Sequence, residues 1–515
     1  MITRRGLLGA AVGIAGAAAV AGCSRGSATS APSGPSGGSK LPLRADGYPD
    51  LTWKGTISTG VQGYTPAVEG VKLAPGSAKL TEFGKAADEF TKLYPDIKIS
   101  FLGSEYTYDV DQMKTAATGG QLPDVWWQQA IEVKNSFPKG SVANLAPAME
   151  QPNPFIKGNA RWRDVYNQTF YNQTAVNEST TYTNNGDYVG TAFFYNKQMF
   201  ADAGVTTVPK TWDELLALCE NLKAKGMTPV AYHPYNNGFG WLARIFLTNL
   251  LGLDTLKKID SYSAAPGIST QDTAVAWKQG LIDPRKNPGV LAWWPVAKQL
   301  LDYADRTILQ LPPKAPTGSP DQGTYFAAKK VPMIYDGTWA PGTVKDNGAD
   351  FEVGSFAWPT MAGSYQYATD YDSSAAVGGP NAAWQFQMST ERSDSSLKEQ
   401  GKTDAVLAWM QFFSTPERNQ AICNERGAFL PTFTGTTPPE ALKDLQQLTS
   451  QPLYAVSGGA DFSTEATDQV SRLFQQYALG QVGMDEVSTK YPAIIDKGFN
   501  AYVRSNPIDF SKYPA

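Results

Sequence analysis

The sequence predicts an α/β fold. Two observations carry this. From Thr52 onward, β-prone stretches alternate with amphipathic ones in a strand–helix–strand–helix–strand rhythm, which builds a largely parallel sheet. The helical stretches also carry their own start and stop signals.

The elements read in order as follows. Thr52–Gly60 is a first strand. Leu80–Tyr94 is an amphipathic helix with Leu80, Phe83, Ala87, Phe90, Leu93 and Tyr94 on its inner face. Pro95 follows it, and Ile97–Leu102 alternates like a strand. Asp109–Thr118 is helical and stops at Gly119-Gly120, because glycine accepts the left-handed conformation at a helix end. Pro123-Asp124-Val125-Trp126-Trp127 opens the next strand. In Gly186–Gly226, Tyr188–Tyr195 is apolar and β-prone, Pro209 ends a connection, and Thr211 with Glu214 forms a T-x-x-E capping box. From about Asp50 the chain is long enough for two or more core-bearing units. Ligands of open α/β sheets bind outside the carboxyl ends of the strands.

The N-terminus reads as an address. Arg4-Arg5 precede Leu7–Ala21, an apolar run shorter than the roughly 20 residues a spanning helix needs. Val20-Ala21-Gly22-Cys23 looks like a lipobox, with cleavage before Cys23 leaving a lipidated cysteine; the arginine pair resembles a twin-arginine export signal. Ser24–Ser39 is rich in Ser, Gly, Ala and Pro and reads as a flexible tether. No second apolar segment is long enough to span a membrane.

The formal charge is −4, and no basic run interleaves with aromatics, so nothing points to nucleic acid. No P-loop, HExxH, GxSxG, CxxC or EF-hand pattern occurs. The one histidine, His233, is too little for a zinc site or a His-based triad, and reads as a loop or rim residue. No metal and no cofactor is implied. Cys219 and Cys423 read as two separate buried thiols, although an extracytoplasmic location permits a disulfide. Tyr166-Asn167-Gln168-Thr169 and Tyr171-Asn172-Gln173-Thr174 form a near-repeat that reads as a solvated surface loop.

Aromatics are the notable excess, with 13 Trp, 24 Tyr and 23 Phe. An aromatic ring offers an apolar face to the C–H face of a sugar, and adjacent Asp, Asn and Gln bond its hydroxyls. Trp127 and Gln128 at a strand end, Trp241 after a polar glycine-containing loop, and Asp336 and Trp339 at a strand-to-helix turn have this character. Strand alternation sends Trp126 and Trp127 to opposite faces, so at most one faces a cleft.

Several stretches resemble the family 1 extracellular solute-binding proteins, the substrate receptors of ABC importers. They are Phe194-Tyr195-Asn196-Lys197, Phe200 and Gly204, then Pro209-Lys210-Thr211-Trp212-Asp213-Glu214-Leu215. LYPDIKISF, MKTAATGGQLPDVWW, Tyr325–Trp339 and Ala408–Phe433 continue the likeness, with Ala328 where the family usually has Gly. The resemblance implies a two-lobed periplasmic-binding-protein-like α/β fold with interleaved lobes, a hinge and a ligand cleft between them. Mapped here, it gives a signal peptide at 1–22, a lipidated Cys23 and linker at 23–49, an N-terminal lobe at 50–188 plus 382–427, and a C-terminal lobe at 189–381 plus 428–515. The chain would cross between lobes near Gly186–Ala192, Val377–Ala383 and Gly427–Thr432, with Gly378-Gly379 as a hinge.

Tyr195 and Trp339 match family positions that stack on or border the ligand, and Trp127 and Gln128 lie in a loop that often contributes contacts. The implied protein is a monomeric, lipid-anchored receptor on the extracytoplasmic face of the membrane. It binds a sugar or oligosaccharide by lobe closure and delivers it to an ABC permease, with no catalysis. The alternatives are a cell-surface glycosidase, which needs two facing carboxylates, and a ligand-sensing lipoprotein without a transport role.

Overall fold

The computed structural model describes residues 41–513 apart from 75–76, 235–237, 264–266, 313–320, 381 and 451–453. The signal, the lipobox with Cys23 and the tether through residue 40 lie outside the described residues.

The strands are β1 (Gly55–Thr59), β2 (Ile97–Phe101), β3 (Val125–Trp127), β4 (Asn184–Asn185), β5 (Asp187–Asn196), β6 (Val230–Ala231), β7 (Met333–Gly337), β8 (Val353–Phe356), β9 (Gly378–Gly379), β10 (Gln385–Met388) and β11 (Leu430–Pro431). One sheet has the order β2-β1-β3-β10-β4; the other has β11-β5-β7-β6, with β8 and β9 also paired to β5. The expected parallel pairing holds for β1 with β2 and β3 and for β6 with β7. Elsewhere the ladders are antiparallel. The rhythm from Thr52 to Trp127 thus gives the parallel set β2-β1-β3, to which β10 adds one antiparallel strand, while in the second sheet β7, β8, β9 and β11 all run against β5.

Each lobe has its own core. Around the first sheet, Ile57, Phe83, Phe90, Trp384, Phe386, Trp409 and Phe413 are buried together. The helix Glu82–Leu93 turns Phe83, Ala86, Ala87 and Phe90 inward; Phe83 stacks on Trp384 at 5.9 Å and meets Phe413 edge-on at 5.2 Å. Around the second sheet, Phe193, Trp212, Phe246, Trp293, Trp294, Tyr335 and Trp358 form a larger aromatic core. Truncating one such buried ring to Ala costs about 3–5 kcal/mol. Cys219 lies in the second core and Cys423 in the first, and both are free and buried.

Local signals act where the sequence places them. Asp109 caps the helix Val110–Gly119 by accepting from Gln112 N, and Gly120 ends it at φ 69°. Thr211 and Glu214 complete their reciprocal box before Trp212–Ala224. The helix Glu82–Leu93 uses a distant cap instead: the Glu425 carboxylate accepts from Thr81 N at 2.7 Å and Glu82 N at 2.8 Å.

Two expectations are corrected. The near-repeat is not a solvated loop but contains a helix, Gln168–Thr174, capped by Asn167, which buries Phe170, Tyr171 and Thr174. The helix carrying Trp241 begins earlier, at Gly238, and breaks at Gly252 (φ 66°, ψ 167°) before ending at Asp260.

The three segments expected to cross lie side by side. Tyr188 pairs with Leu430, Val189 with Gly379, and Gly190 with Gly378. Glycine at 378 follows from close approach, because a Cβ there would lie 2.2 Å from the Tyr188 hydroxyl. Among the described residues, no helix is long and apolar enough to cross a membrane, and no group of three or more His, Cys, Asp or Glu is arranged to hold a metal.

Candidate ligand-binding site

β6 and β7 are parallel neighbours, so the residues after them emerge together at one edge of the second sheet. That edge abuts the crossing: Thr338 N donates to Gly190 O on β5 at 2.9 Å. Three of the sequence candidates converge here. The Trp241 ring lies 5.9 Å from Trp339 and 6.1 Å, edge-on, from Tyr335. The Trp339 indole lies flat over Gly337, where a Cβ would come within 2.3 Å of the ring; only glycine admits that pose.

Asp336 lies beside Trp339, its Oδ1 accepting from Gly337 N at 2.8 Å. Burial pushes its carboxyl up to about 6, and donors on Gln322, Gly337 and Trp339 offset part of that rise. Gln322, which sequence reasoning missed, ties the site together. Its Nε2 donates to Tyr335 O and its Oε1 accepts from His233 N, both at 3.0 Å. Nothing in the local sequence marks it beyond its place after Asp321, the cap of the helix Gln322–Ala327. His233 lies in the loop after β6 as expected, but is only 7% exposed and so is not a rim residue.

Trp127 and Gln128 stand at the carboxyl end of β3 in the other lobe. Trp127 is 8% exposed; its indole N–H donates to Ala382 O at 3.2 Å, and its ring meets Tyr108 edge-on at 5.7 Å. Trp126 points the other way, into a separate cluster, and donates to Ser389 Oγ at 3.0 Å. Gln128 is buried, donating to Tyr108 O at 3.0 Å and accepting from Gln129 N at 2.9 Å. Both residues brace Tyr108 from behind. Tyr195 is not brought to the Trp241–Trp339 cluster. It lies toward the far end of β5, opposite Met333, with its ring stacked on Phe200 at 4.3 Å.

Two cavities face the strand ends. One of about 340 Å³ opens between Gln62, Gly103, Tyr106 and Tyr108, which follow β1 and β2, and Asp346 across the gap, with Arg426 of the first lobe reaching to within 3.7 Å of Asp346. Asp346 is the last residue of the helix Ala340–Asp346, which starts immediately after Trp339. One short helix thus links the aromatic cluster to this cavity. The other, about 230 Å³ and at the segment expected to form the hinge, is lined by Ala130, Lys134 and Thr174, by Gly267, Ile268 and Ala455, and by Gly378 and Gly379 of β9. Lys134 Nζ donates to Ala175 O at 3.1 Å, and burial lowers its pKa. Tyr106, Tyr108, Lys134 and Arg426 are further wall residues that sequence reasoning missed. The two tyrosines were in principle findable, since they follow directly on β2 where ligands of such sheets sit. Aromatic walls with a few placed polar groups suit a small polyhydroxylated molecule.

Two sheets, each with its own hydrophobic core, make a two-lobed α/β fold. The model of the bacterial extracellular solute-binding proteins matches residues 85–450, and the chain belongs to that family, whose description places its members outside the cell. It is similar to the multiple sugar-binding protein of Streptococcus mutans, with 29% identity over 170 residues. That match takes in 32% of this chain and 35% of the relative, about a third of the curated protein's length. In fold it is similar to the raffinose complex of RafE, a protein known from Streptococcus pneumoniae, at TM-score 0.57 and 18% identity over 87% of this chain and 100% of that one. It is also similar to the cyclic α-maltosyl-1,6-maltose binding protein of Arthrobacter globiformis, at TM-score 0.55 and 17% identity over 88% and 100% of the two chains.

Proposed function

We propose that this protein is the substrate-binding component of an ABC importer and that its ligand is a sugar or oligosaccharide. The observation that carries the reading is the convergence of Trp241, Asp336 and Trp339 at the edge of the second sheet beside the crossing. Two indoles supply apolar platforms, and the carboxylate beside Trp339 supplies an acceptor for hydroxyl groups. The names of the similar proteins, which concern multiple sugars, raffinose and a cyclic maltooligosaccharide, support the ligand class.

In this mechanism the ligand first rests against one lobe. Contacts from Tyr106, Tyr108 and neighbouring strand-end loops on the other lobe then favour the closed form, because a ligand shifts such an equilibrium only by binding one state better. The closed receptor presents the ligand to a membrane permease. Cys23 carries the lipid that tethers the receptor, and Ser24–Ser39 is the leash. The lobes divide close to residues 188, 381 and 427.

Calorimetry of the purified protein against mono- and oligosaccharides tests the ligand class. Binding of some other solute class, with no sugar bound across a broad panel, overturns it. Cys23→Ser tests the anchor: the variant should move from the membrane fraction to the soluble one, and unchanged fractionation refutes lipidation at that residue.

A further inference from the structure

The hinge cavity does not end at the hinge. A groove of about 1000 Å³ lies beyond it, walled by Tyr262, Tyr502 and Tyr513 and by Ser269, Thr270 and Asp461. Ile131 and Ile268 line both this groove and the 230 Å³ hinge cavity, so the two spaces share a threshold. Ile131 is one of the few large apolar side chains left open to solvent, at 47% exposure. It is also the single contribution of the first lobe; every other described wall residue comes from 261–263, from 268–271, or from Asp461, Tyr502 and Tyr513.

The walls are braced. Tyr513 Oη donates to Tyr262 O at 2.8 Å, and the two rings meet edge-on at 5.6 Å. Tyr262 Oη in turn donates to Gln279 Oε1. The Tyr502 ring stacks on Phe462 at 5.8 Å. Ser263 and Ser269 are pinned by the buried Asp272, which accepts from Ser263 Oγ at 2.9 Å and Ser269 N at 2.8 Å. No lysine or arginine lines the groove among the described residues. Phenol rings, hydroxyl groups and one carboxylate, with no cation, suit a neutral polyhydroxylated chain and disfavour an anionic one.

We propose that this groove is an extension subsite for the outer residues of an oligosaccharide whose inner end lies in the cleft. The inference rests on the sugar reading above and adds ligand length to it. Size supports it: the hinge cavity alone falls below the roughly 300–1,000 Å³ of ordinary ligand pockets, whereas the groove reaches the top of that range. Because one lobe supplies nearly all of the groove, its hold on a chain does not require the lobes to close. Long ligands therefore gain affinity from it in both open and closed states.

The test is calorimetry of the full protein with three series of rising length: maltose to maltohexaose, chitobiose to chitohexaose, and raffinose to verbascose. Affinity should rise about tenfold or more between the shortest and longest members of the series that binds. Tyr502→Ala and Asp461→Asn should each remove most of that gain while leaving the shortest ligand's affinity unchanged. Tyr502→Phe, which keeps the ring, should retain it. Binding that does not depend on length, or variants that weaken short and long ligands alike, overturns the groove and leaves the sugar reading standing. No binding in any series refutes the sugar reading, and the extension subsite falls with it.

Discussion

Tyr64 donates a 2.6 Å hydrogen bond to Asp187 and so joins the loop after β1 to the first residue of β5. The same carboxylate oxygen accepts from the backbone N–H groups of Ala383 and Trp384, at 3.1 and 2.9 Å. Asp187 also pairs with Pro431 on β11. The carboxyl of this one residue therefore ties the loop after β1 to residues 383–384, while its backbone pairs with β11. The other titratable group facing this contact is the buried Cys423 thiol, 3.3 Å from the Tyr64 hydroxyl. Among the described residues, no cation pairs with the carboxyl. Burial pushes it up to about 7 despite its three donors.

Asp187 should make stability depend on pH in an unusual sense. Its folded pKa lies above its unfolded value, so the folded state holds the proton more tightly. The contribution is full below about pH 4, is lost as pH rises from about 4 to about 7, and is flat above that. At about 1.4 kcal/mol per pKa unit, the loss is on the order of 4 kcal/mol. Asp187→Asn imitates the protonated side chain. Thermal melts between pH 5 and 8 should show a clearly shallower decline for the variant; equal slopes would remove Asp187 as the cause.

Trp339→Ala should weaken sugar binding about tenfold or more, about 1.4 kcal/mol, as for a ring at the centre of a contact surface. Trp241 and Trp339 touch, so the double alanine variant should lose less than the sum of the two single losses, with a coupling of about 0.5–1.5 kcal/mol. Strictly additive losses, measured by calorimetry on folded variants, would separate the two rings.

Asp336 should give ligand affinity its own pH dependence. Its carboxyl is raised to about 6, so it is an anionic acceptor above that pH and protonates as pH falls through it. Sugar affinity should drop between about pH 7 and 5 in the natural protein, and the drop should vanish in Asp336→Asn. A variant that keeps the same pH profile would assign the effect to another group.

Gly378→Ala should destabilise the crossing. The added methyl would sit 2.2 Å from the Tyr188 hydroxyl and 2.7 Å from Val189 O, and one of these is backbone that cannot swing aside. Overpacking of this kind costs about 1–3 kcal/mol. A urea midpoint within error of the natural protein's would show that the hinge absorbs the methyl.

What could be read in the sequence was local. Asp109, Gly120, Thr211 and Glu214 act through neighbours within one helical turn, and each appears where its spacing put it. The aromatic cluster was partly readable for the same reason: Asp336 and Trp339 share one strand end. Tyr195 was harder, because its surroundings depend on how far β5 runs past Gly190 before it ends, and no residue in the strand encodes that. The helix Gln168–Thr174 was hidden by its polar composition, although Phe170 and Thr174 stand at helical spacing. Gln322 and Arg426 were invisible, since their partners are remote in sequence. The pairing of β10 with β3 likewise depends on contacts across the chain that no short pattern reports.

That pairing has a consequence for biosynthesis. Trp126 finds its partner Ser389 263 residues later, and Phe83 finds its stacking partner in Trp384. A ribosome reading from the N-terminus therefore releases the first lobe's strands and helix long before the segment that covers them. Until residues 384–413 emerge, Phe83 and Phe90 have only near neighbours such as Phe101 and Tyr94, while the intervening second lobe is already being made. Polypeptides halted before residue 384 should therefore be cleaved rapidly by a protease within the first lobe, and the full chain slowly.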